Sequence, residues 1–582
     1  MNRLKRLLHV LPLLCPLLAA AGVSLEVEGL ESRFDNGHLR VVFGPDASAR
    51  SVTLDGQPLI ADYSGAMADS ARKRSGYLDY HSGRATPFHP ARLMLIERTP
   101  QFAHVAYLPD AGEPLQLEYH LTMRDGLNAL QSWVIARNAG SAPLRVSELR
   151  SVWRFDASLL DRAFNGERDM QPPLYASLER MPKLQDETWT LPDGSVYSKY
   201  DLAGYPRRAP FWGVHGHGYG AWLLSPGRDY YSGDDLKQDL LVHQDAIVLN
   251  YLTGAHFGTP DLVAPPGWEK FYGPWLMYFN QGDAESMKAD AARQAREAAR
   301  EWPDARVRDA RYPLQRASLS GHLVLPAGPA RRYTLQLWSE ATATPEDQTL
   351  GYFYATQADT AGRFRFEGVR PGHYRLAVRS DEGAPVLTAA TRELDLAAGE
   401  QTLSAIALQP AGTLLWAIGD ADRRASGFRF ADQPRANHWH REVPADLDFV
   451  VGRSNPSTDW YFAQTRPGRW NIRFDTADAP CPCRLDIDLA AASHSGMNQP
   501  SSPVLAVELD GQTLALIRHD NDKSIYRHAM TGGHGYHHRF EIPADRLGAG
   551  AHSLSLVLKG GAVMYDSLSL SRSPAADTPL AP

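Results

Sequence analysis

Short runs in which apolar and polar positions alternate fill most of the first half of the chain, a pattern typical of half-buried antiparallel strands. Gly, Asp, Asn and Pro bound these runs, and no segment of strong helical period interrupts them. The pattern predicts strands at 25–30, 39–43, 50–54, 93–97, 102–107, 115–123, 129–139 and 144–155. A block of roughly 250 residues of this kind predicts one large β-sandwich, because a small Greek-key domain needs only about 100 residues.

One segment with a convincing helical pattern follows this block. Asp283 is a favourable N-cap, and the residues from Ala284 to about Trp302 are rich in Ala, Arg and Glu. Pro303 ends the helix, since proline lacks the amide that a further turn needs. We expect this helix to close the first domain.

Two further β-rich units are predicted after the helix. Short runs at 318–325, 333–337, 352–356, 363–368, 373–378 and 402–408 predict a small sandwich, and runs at 540–542 and 552–558 predict the back strands of a jelly roll. The fold class is therefore all-β. The predicted domains are a large N-terminal sandwich (22–312), a second sandwich (313–410) and a jelly roll (411–573), followed by a disordered tail (574–582).

Composition narrows the class of protein. A length of 582 residues gives a prior of about four domains, and 43% hydrophobic with 22% charged residues is typical of globular protein. The net charge of −7 argues against a general nucleic-acid binder, which needs a basic face. Only nine of the 60 basic residues are lysine. Because arginine cannot replace lysine where a titratable amine is needed, this scarcity helps to identify a lysine with a catalytic role.

The N-terminus has the pattern of a signal peptide at residues 1–21. Basic residues precede an apolar run at 7–18, and small residues at 19–22 offer a cleavage site. We therefore expect a secreted or periplasmic protein with no membrane domain after cleavage. Cys15 would be removed, leaving Cys481 and Cys483, whose spacing allows a strained disulfide or none and excludes a disulfide scaffold.

Polar and aromatic residues are most concentrated between Tyr197 and Phe279. On a sandwich, such residues can present stacking platforms and hydrogen bonds to a sugar chain, but they can also be aromatic core packing. The densest runs are 197–201, 211–222, 230–245, 249–258 and 265–274. Composition alone leaves both interpretations open.

Five stretches in this order resemble a known family. They are Ser-Gly-Asp-Asp-Leu-Lys-Gln-Asp-Leu-Leu-Val-His (232–243), Leu-Asn-Tyr-Leu-Thr-Gly-Ala-His-Phe-Gly (249–258), Gly-Trp-Glu-Lys-Phe-Tyr-Gly-Pro (267–274), Arg-Pro-Gly-Arg-Trp (466–470) and Val-Met-Tyr-Asp (563–566). They resemble the rhamnogalacturonan lyases of polysaccharide lyase family 4, over nearly the whole mature chain. The resemblance implies a large catalytic sandwich (a supersandwich), a fibronectin-III-like domain and a carbohydrate-binding-like jelly roll.

The resemblance also implies a reaction, β-elimination at galacturonate in the rhamnogalacturonan I backbone of pectin. A base must remove the C5 proton, and positive charge or strong donors must offset the charge that develops on the C6 carboxylate. The departing O4 must receive a proton, from an acid or from the base itself.

Two residues match the family's catalytic pair. Lys199, in the context Lys-Tyr-Asp, matches the catalytic lysine, and His256, in Gly-Ala-His-Phe-Gly, matches the histidine. A lysine of ordinary pKa is the wrong base at neutral pH, so Lys199 must be desolvated or close to other cations. An imidazole suits either proton role, and the sequence leaves open which residue is base and which is acid.

The remaining site predictions concern substrate binding. Arg154 is our choice of partner for the substrate carboxylate, because a guanidinium can bind it through two hydrogen bonds. Further contacts are predicted for Tyr251, Tyr200 and His243, although a tyrosine there could also pack in the core. Weaker candidates are Arg168, Arg207 and Arg208 for the carboxylate, and Lys237, which can instead tie loops together by ion pairs.

No cofactor is expected to be required. The histidine clusters at 215–217 and 534–538 lack the ligand set of a zinc site. Ca²⁺ is possible at the Gly233-Asp-Asp235 loop, but no calcium-loop signature supports it. We expect a monomer whose partner is the polysaccharide substrate.

The alternatives that remain open are a non-catalytic glycan-binding sandwich, a hydrolase or epimerase on the same kind of sandwich, and a lyase or hydrolase acting on another acidic polysaccharide. Hydrolysis calls for two carboxylic acids flanking the bond. The sequence shows no clear pair of them beside Lys199 and His256. It also leaves open endo or exo action and whether the jelly roll binds sugar.

Overall fold

The computed structural model of the chain describes residues 22–61, 74–254, 256–325, 331–382, 391–408, 412–431, 442–477, 482–496, 500–527 and 532–573. The predicted signal peptide, Cys481 and the predicted tail lie outside these ranges. The structure is 52% strand and 7% helix, which confirms the all-β prediction.

The first unit contains the large sandwich. Its strands are β1 (Ser24–Glu28), β2 (Glu31–Asp35), β3 (Leu39–Phe43), β4 (Ala49–Leu54), β5 (Gln57–Pro58), β6 (Tyr77–Ser82), β7 (Arg84–Pro87), β8 (Pro90–Arg98), β9 (Phe102–Pro109), β10 (Leu115–Arg124), β11 (Ala129–Asn138), β12 (Leu144–Val146), β13 (Glu148–Arg154), β14 (Arg162–Phe164), β15 (Asp169–Met170), β16 (Lys183–Gln185), β17 (Thr188–Thr190), β18 (Val196–Ser198), β19 (Ala203–Gly204), β20 (Phe211–Gly216), β21 (Tyr219–Leu224), β22 (Asp239–Leu240), β23 (Val242–His243), β24 (Ile247–Gly254), β25 (Leu262–Ala264) and β26 (Glu269–Gln281).

Two sheets of this unit matter for the site. A nine-stranded sheet has the order β15-β14-β20-β21-β26-β11-β10-β9-β8, and a five-stranded sheet has the order β23-β24-β13-β6-β7. Side chains from both sheets meet in one apolar core, which includes Trp153 and Leu252 of the five-stranded sheet and Trp212 and Trp275 of the nine-stranded sheet. The other face of the five-stranded sheet is therefore available for other contacts.

The region 144–155, predicted as one strand, is two strands, β12 and β13. Ser147 separates them, and a β-bulge interrupts the pairing between Leu149 and Arg150. Bulges commonly lie next to active sites, because the extra residue changes the direction of the side chains that follow.

Three α-helices have both ends in the described ranges, α1 (Tyr175–Leu178), α2 (Ala284–Arg300) and α3 (Pro456–Asp459). The helix predicted after Asp283 is confirmed, and the Asp283 side chain accepts a hydrogen bond from the Ser286 amide at 2.9 Å. Met287, Ala291 and Ala295 of α2 are buried against the nine-stranded sheet, so the helix covers one face of it. No helix in the described ranges is long and apolar enough to cross a membrane.

The second unit is a small sandwich of β27 (Ala317–Val324), β28 (Tyr333–Trp338), β29 (Phe353–Gln357), β30 (Arg363–Val369), β31 (Gly372–Ser380), β32 (Arg392–Leu396), β33 (Gly399–Thr402) and β34 (Ile406–Ala407). The sheets β30-β27-β33, with β34 also on β27, and β29-β28-β31-β32 enclose a separate core. The single strand predicted at 402–408 is wrong, because β33 and β34 pair separately with successive parts of β27.

The third unit contains β35 (Thr413–Gly419), β36 (Leu447–Val450), β37 (Ala463–Gln464), β38 (Gly468–Thr476), β39 (Cys483–Ser493), β40 (Val504–Leu509), β41 (Gln512–Arg518), β42 (Tyr536–Ile542), β43 (Gly550–Gly560) and β44 (Ala562–Arg572). The sheets β35-β44-β39-β42, with β37 on β44, and β36-β38-β43-β40-β41 enclose a core around Trp460 and Trp470. The loop between β41 and β42 reaches the first unit, where Tyr526 accepts a hydrogen bond from Gln185.

Candidate active site

The outer face of the five-stranded sheet forms the floor of the candidate site. Strand alternation sends Ile247, Leu249 and Tyr251 of β24 to this face, while Val248 and Leu252 enter the core. The prediction that Tyr251 shares a face with Leu249 is confirmed.

Three side chains form a row across the strands of this floor. Arg150 of β13 is paired in register with Tyr251 on one side and with Asp79 of β6 on the other. Its Nε and Nη2 donate to the two Asp79 carboxylate oxygens at 2.7 and 3.1 Å, and its Nη1 donates to the Tyr251 hydroxyl at 3.0 Å. These bonds occupy all three nitrogens of Arg150 and fix the Tyr251 ring.

Lys199 enters the site from a short 3-10 helix, Lys199–Leu202, that follows β18. Ser198 caps this helix by accepting a hydrogen bond from the Tyr200 amide, and the Lys199 amide donates to the Glu187 carbonyl at 3.0 Å. The Lys199 ammonium lies 5.1 Å from the centre of the Tyr200 ring, and no described carboxylate lies within ion-pair distance of it.

Burial lowers the pKa of Lys199 below its ordinary value. Glu187 and Asp186 act in the opposite direction, but Arg527 adds to the lowering. The structure therefore supplies both conditions that the sequence requires of a catalytic lysine, desolvation and a neighbouring cation.

His256 lies in the loop just after β24. Its ring packs against Tyr251 at 4.9 Å and against Tyr200 at 6.1 Å, between centroids. Its Nε2 is 3.8 Å from Glu148 Oε1, and its buried Nδ1 has no hydrogen-bond partner among the described residues. Burial lowers the pKa of His256 well below its usual range, and Arg527 and Lys199 reinforce that shift, so the imidazole is neutral.

Arg527 comes from the third unit and was not predicted from the sequence. Its guanidinium lies 5.2 Å from the centre of the Tyr200 ring, and its Nη2 is 3.0 Å from Asp186 Oδ2. Nothing local in the sequence marks this residue, because it follows Lys199 by more than 300 positions and belongs to another unit.

Tyr200 is the common neighbour of the three candidate groups, Lys199, His256 and Arg527. Its hydroxyl donates to Asp186 at 2.6 Å. Burial would raise the pKa of Asp186, but the Tyr200 hydrogen bond and the charge of Arg527 outweigh it and hold the pKa below its ordinary value. Asp186 is therefore an anion that ties Arg527 to the ring between the catalytic candidates.

The predicted substrate contacts are placed around this centre. Tyr200 and Tyr251 are only 1% and 3% exposed, and their hydroxyls already bond Asp186 and Arg150, so their contact with substrate stays a prediction. Arg154 donates from its amide to Ser75 and from Nη2 to the Tyr77 hydroxyl at 3.4 Å.

His243 lies close enough to Lys199, Arg154 and Arg150 for their charges to affect it. Burial lowers the pKa of His243 to about 3, and these three cations contribute to the shift. His243 also lines a cavity of about 130 Å³ with Asp161 and Leu174. A role for Arg154 or His243 in substrate binding remains a prediction.

The weaker arginine candidates make contacts within the protein. Arg168 donates to the Asp201 carbonyl, and Arg207 donates to the carbonyls of Tyr231 and Phe353. Arg208 is 3.5 Å from Asp235. The Arg207–Phe353 bond joins the first unit to the second, and the other contacts tie loops within the first unit.

The stretch 232–239 joins the first unit to the third. Arg423 Nη1 of the third unit lies 2.6 Å from Asp234 Oδ2 and 2.8 Å from Asp235 Oδ1, and Gln238 donates to the Gly532 carbonyl at 2.6 Å. Within the described ranges, no group of three or more His, Cys, Asp or Glu side chains is placed to hold a metal ion.

Comparison with known proteins identifies relatives along the whole chain. Residues 319–402 match the family model of polysaccharide lyase family 4, domain II, and residues 414–570 match that of domain III, within the second and third units. A rhamnogalacturonate lyase of Dickeya dadantii is 50% identical over 560 residues, covering 96% of each chain. Rhamnogalacturonate lyase B of Emericella nidulans is 25% identical, covering 94% of this chain and 93% of its own.

Among solved structures, a galactose mutarotase-like protein from Lactobacillus casei overlaps 43% of this chain and 100% of its own. The identity is 11% and the TM-score 0.27.

Proposed function

The chain belongs to polysaccharide lyase family 4, and on that premise we propose that it is a rhamnogalacturonate lyase acting on the rhamnogalacturonan I backbone of pectin. The enzyme is a carbon–oxygen lyase. It cleaves the rhamnose-(1,4)-galacturonate linkage by β-elimination, breaking the C4–O4 bond of galacturonate, and leaves a 4,5-unsaturated galacturonate at the new end.

The observation that carries this proposal is the placement of Lys199. Lys199 is half-buried, its ammonium has no carboxylate partner among the described residues, and it shares the Tyr200 ring with His256 and Arg527. Burial and the nearby guanidinium favour the neutral amine, which is the form that can accept a proton.

In the proposed reaction, the Lys199 amine takes the C5 proton. The electrons of the C5–H bond form the C4=C5 double bond, and the C4–O4 bond breaks. His256 gives the departing O4 a proton, so that rhamnose leaves with a free hydroxyl. Binding of the substrate carboxylate brings negative charge to His256, which raises its pKa toward the range where it can donate.

Arginine side chains offset the charge on the substrate carboxylate. Each nitrogen of Arg150 already bonds Asp79 or Tyr251, whereas Arg527 uses Nη2 for Asp186 and is held against Tyr200. We assign the C6 carboxylate to Arg527 together with the predicted Arg154. A guanidinium there stabilises the doubly charged intermediate more than the substrate, which is the requirement for catalysis.

The carboxylates near the centre support elimination over hydrolysis. Hydrolysis needs one protonated acid at the bond, with a raised pKa. Asp186, which accepts the Tyr200 hydrogen bond, has a pKa below its ordinary value because that bond and the charge of Arg527 stabilise its anion.

We further propose that the protein is exported, that it acts as a monomer and that it needs no cofactor. The basic and apolar pattern of residues 1–21 supports export. In the proposed mechanism, protein side chains supply the base, the proton donor and the positive charge. Dialysis against EDTA should therefore leave the rate unchanged.

Ultraviolet absorbance tests the function, because the conjugated unsaturated uronate absorbs where the substrate does not. The purified mature chain should give a rise with rhamnogalacturonan I and none with homogalacturonan. No rise on either, with binding retained, would favour the glycan-binding alternative. A rise only on homogalacturonan would support the β-elimination mechanism but refute the assignment of rhamnogalacturonan I as the substrate.

Lys199→Arg tests the base, since a guanidinium keeps the charge but cannot accept a proton near neutral pH. We expect a loss of at least about a hundredfold in kcat, as for removal of a general base. Lys183→Arg is the matched control, because Lys183 is exposed and pairs with Glu187 at 3.3 Å. Wild-type kcat in Lys199→Arg would remove Lys199 as the base.

A further inference from the structure

A buried ion pair lies behind the loop that carries His256. Lys237 is 4% exposed, and its Nζ donates to the Gly254 carbonyl at 3.1 Å and lies 3.5 Å from Asp239 Oδ1. Burial lowers the pKa of Lys237 and raises that of Asp239 to about 7. The proposed reaction gives neither residue a role.

Such a pair is not explained by stability alone. Removing two charges from water commonly costs as much as their attraction returns, so well-packed apolar residues would serve a purely structural purpose as well. Asp239 Oδ1 also accepts no hydrogen bond from the described residues. The position of the pair therefore calls for another explanation.

Gly254 is the last residue of β24, two positions before His256. A Cβ at Gly254 would lie 2.8 Å from the Tyr251 ring and 3.4 Å from Asp239 Oδ1. The backbone is thus pressed between Tyr251 and Asp239, while Lys237 holds its carbonyl. These contacts fix the point from which the His256 loop leaves the sheet.

The turn that precedes Lys237 requires a glycine at Gly233. Gly233 has a φ of +73°, and a Cβ there would lie 3.1 Å from the Lys237 Cβ. Only glycine suits this backbone and this close approach to the lysine stem. The Ser-Gly-Asp-Asp-Leu-Lys stretch therefore brings an amine to Gly254 as well as two carboxylates to Arg423.

Lys237 also contributes to the electrostatic environment of His256. Cations lower the pKa of the imidazole, and Lys237 is one of them. The charged and titratable groups around His256 are Arg527, Lys237 and Arg150 as cations, the amine of Lys199, Glu148 as the carboxylate at 3.8 Å, and the phenols of Tyr200 and Tyr251.

We propose that Lys237 is a positioning residue for His256, holding the Gly254 end of β24 and keeping a positive charge behind the imidazole. The inference rests on the proposed function, since His256 has its proton role only there. Lys237 touches no substrate in this scheme and acts through the loop and through its charge.

Lys237→Met tests the proposal, because it keeps most of the stem and removes the donor and the charge. With the full chain and rhamnogalacturonan I, we expect kcat to fall about tenfold to a hundredfold, as for a misplaced catalytic group, with KM within about twofold. The limb of the kcat/KM profile that belongs to His256 should move to higher pH, because a neighbouring cation is lost.

Lys270→Met is the matched control. Lys270 is 1% exposed and donates to the Thr349 carbonyl at 2.9 Å, so its loss also removes a buried lysine that bonds a backbone carbonyl, away from the site. This variant should lose stability without moving the pH limb. If Lys237→Met keeps the wild-type pH limb and loses no more kcat than Lys270→Met at equal folded fraction, the proposal is wrong.

Lys237→Gln covers the case in which Lys237→Met does not fold. It keeps a polar side chain that can donate to the Gly254 carbonyl but removes the charge, so the same limb should move to higher pH; an unmoved limb refutes the proposal. The wild type serves as the reference throughout. A wild type that forms no unsaturated product contradicts the proposed function instead, so the two failures are distinguishable.

Discussion

The ion pairs of Arg423 give the sharpest prediction about how the units cooperate. This side chain is 11% exposed and reaches from the third unit to Asp234 and Asp235 at 2.6–3.1 Å. Burial would raise the pKa of Asp235, but Arg423 outweighs it and holds the pKa well below its usual range. The stability that the Arg423–Asp235 pair contributes is fully present above the pKa of an unfolded aspartate, about 4. Assays at neutral pH therefore measure the whole contribution of this pair.

Arg423→Met removes the guanidinium and leaves two adjacent buried carboxylates. Breaking a buried pair by removing one partner costs about 3–5 kcal/mol. At about 1.36 kcal/mol per factor of ten, the constant for docking the third unit on the first falls by roughly two to four powers of ten. Arg527 then leaves Asp186 and Tyr200, and activity should fall with the docked fraction.

The assay compares kcat/KM, from uronate absorbance, with urea unfolding followed by circular dichroism. Arg424→Met is the matched control, because Arg424 pairs with Asp422 inside the third unit at 2.9 Å. Adding Asp234→Asn and Asp235→Asn to Arg423→Met should restore much of the docking, since no buried charge remains unpaired. Wild-type kcat/KM and an unchanged unfolding curve in Arg423→Met would refute the reasoning.

Two further predictions concern other parts of the chain. Arg527→Lys keeps the positive charge but loses the planar guanidinium that binds a carboxylate through two hydrogen bonds. We therefore expect KM to rise about tenfold while thermal stability stays at the wild-type value. An unchanged KM would show that Arg527 does not bind the substrate carboxylate. Burial lowers the pKa of His104 to about 3, with the neighbouring His120 adding to the shift. Between pH 6 and 4 the unfolded chain therefore binds one proton more than the folded chain, and the free energy of unfolding should fall by up to about 1.4 kcal/mol per pH unit on acidification. The fall should be smaller in His104→Phe. Urea unfolding at each pH measures it, and equal acid sensitivity of the two proteins would contradict this prediction.

The predictions that held depend on local signals. The Asp283 cap and the alternating strands need only neighbouring residues, and the structure has both. Lys199 and His256 came from motif resemblance; the structure places both beside Tyr200, and their catalytic roles stay predictions.

The rest depended on contacts that no local pattern encodes. Arg150 and Arg154 are both on β13, and only the register shows that Arg150 lies between Asp79 and Tyr251. Arg527 belongs to a loop of another unit, and its position follows from docking rather than from the sequence around it. Lys237 stood in a distinctive motif, but its partner Gly254 is identified only by the fold.

The separation of Arg527 from the other catalytic candidates has a consequence for the timing of synthesis. At about 5–20 residues per second, a ribosome adds the roughly 270 residues between His256 and Arg527 in about 15–55 s. Lys199 and His256 therefore exist for much of a minute before the guanidinium that shares Tyr200 with them. Under the proposed mechanism, every nascent chain shorter than this lacks the arginine assigned to the substrate carboxylate, so catalysis should begin only after the last unit has been made.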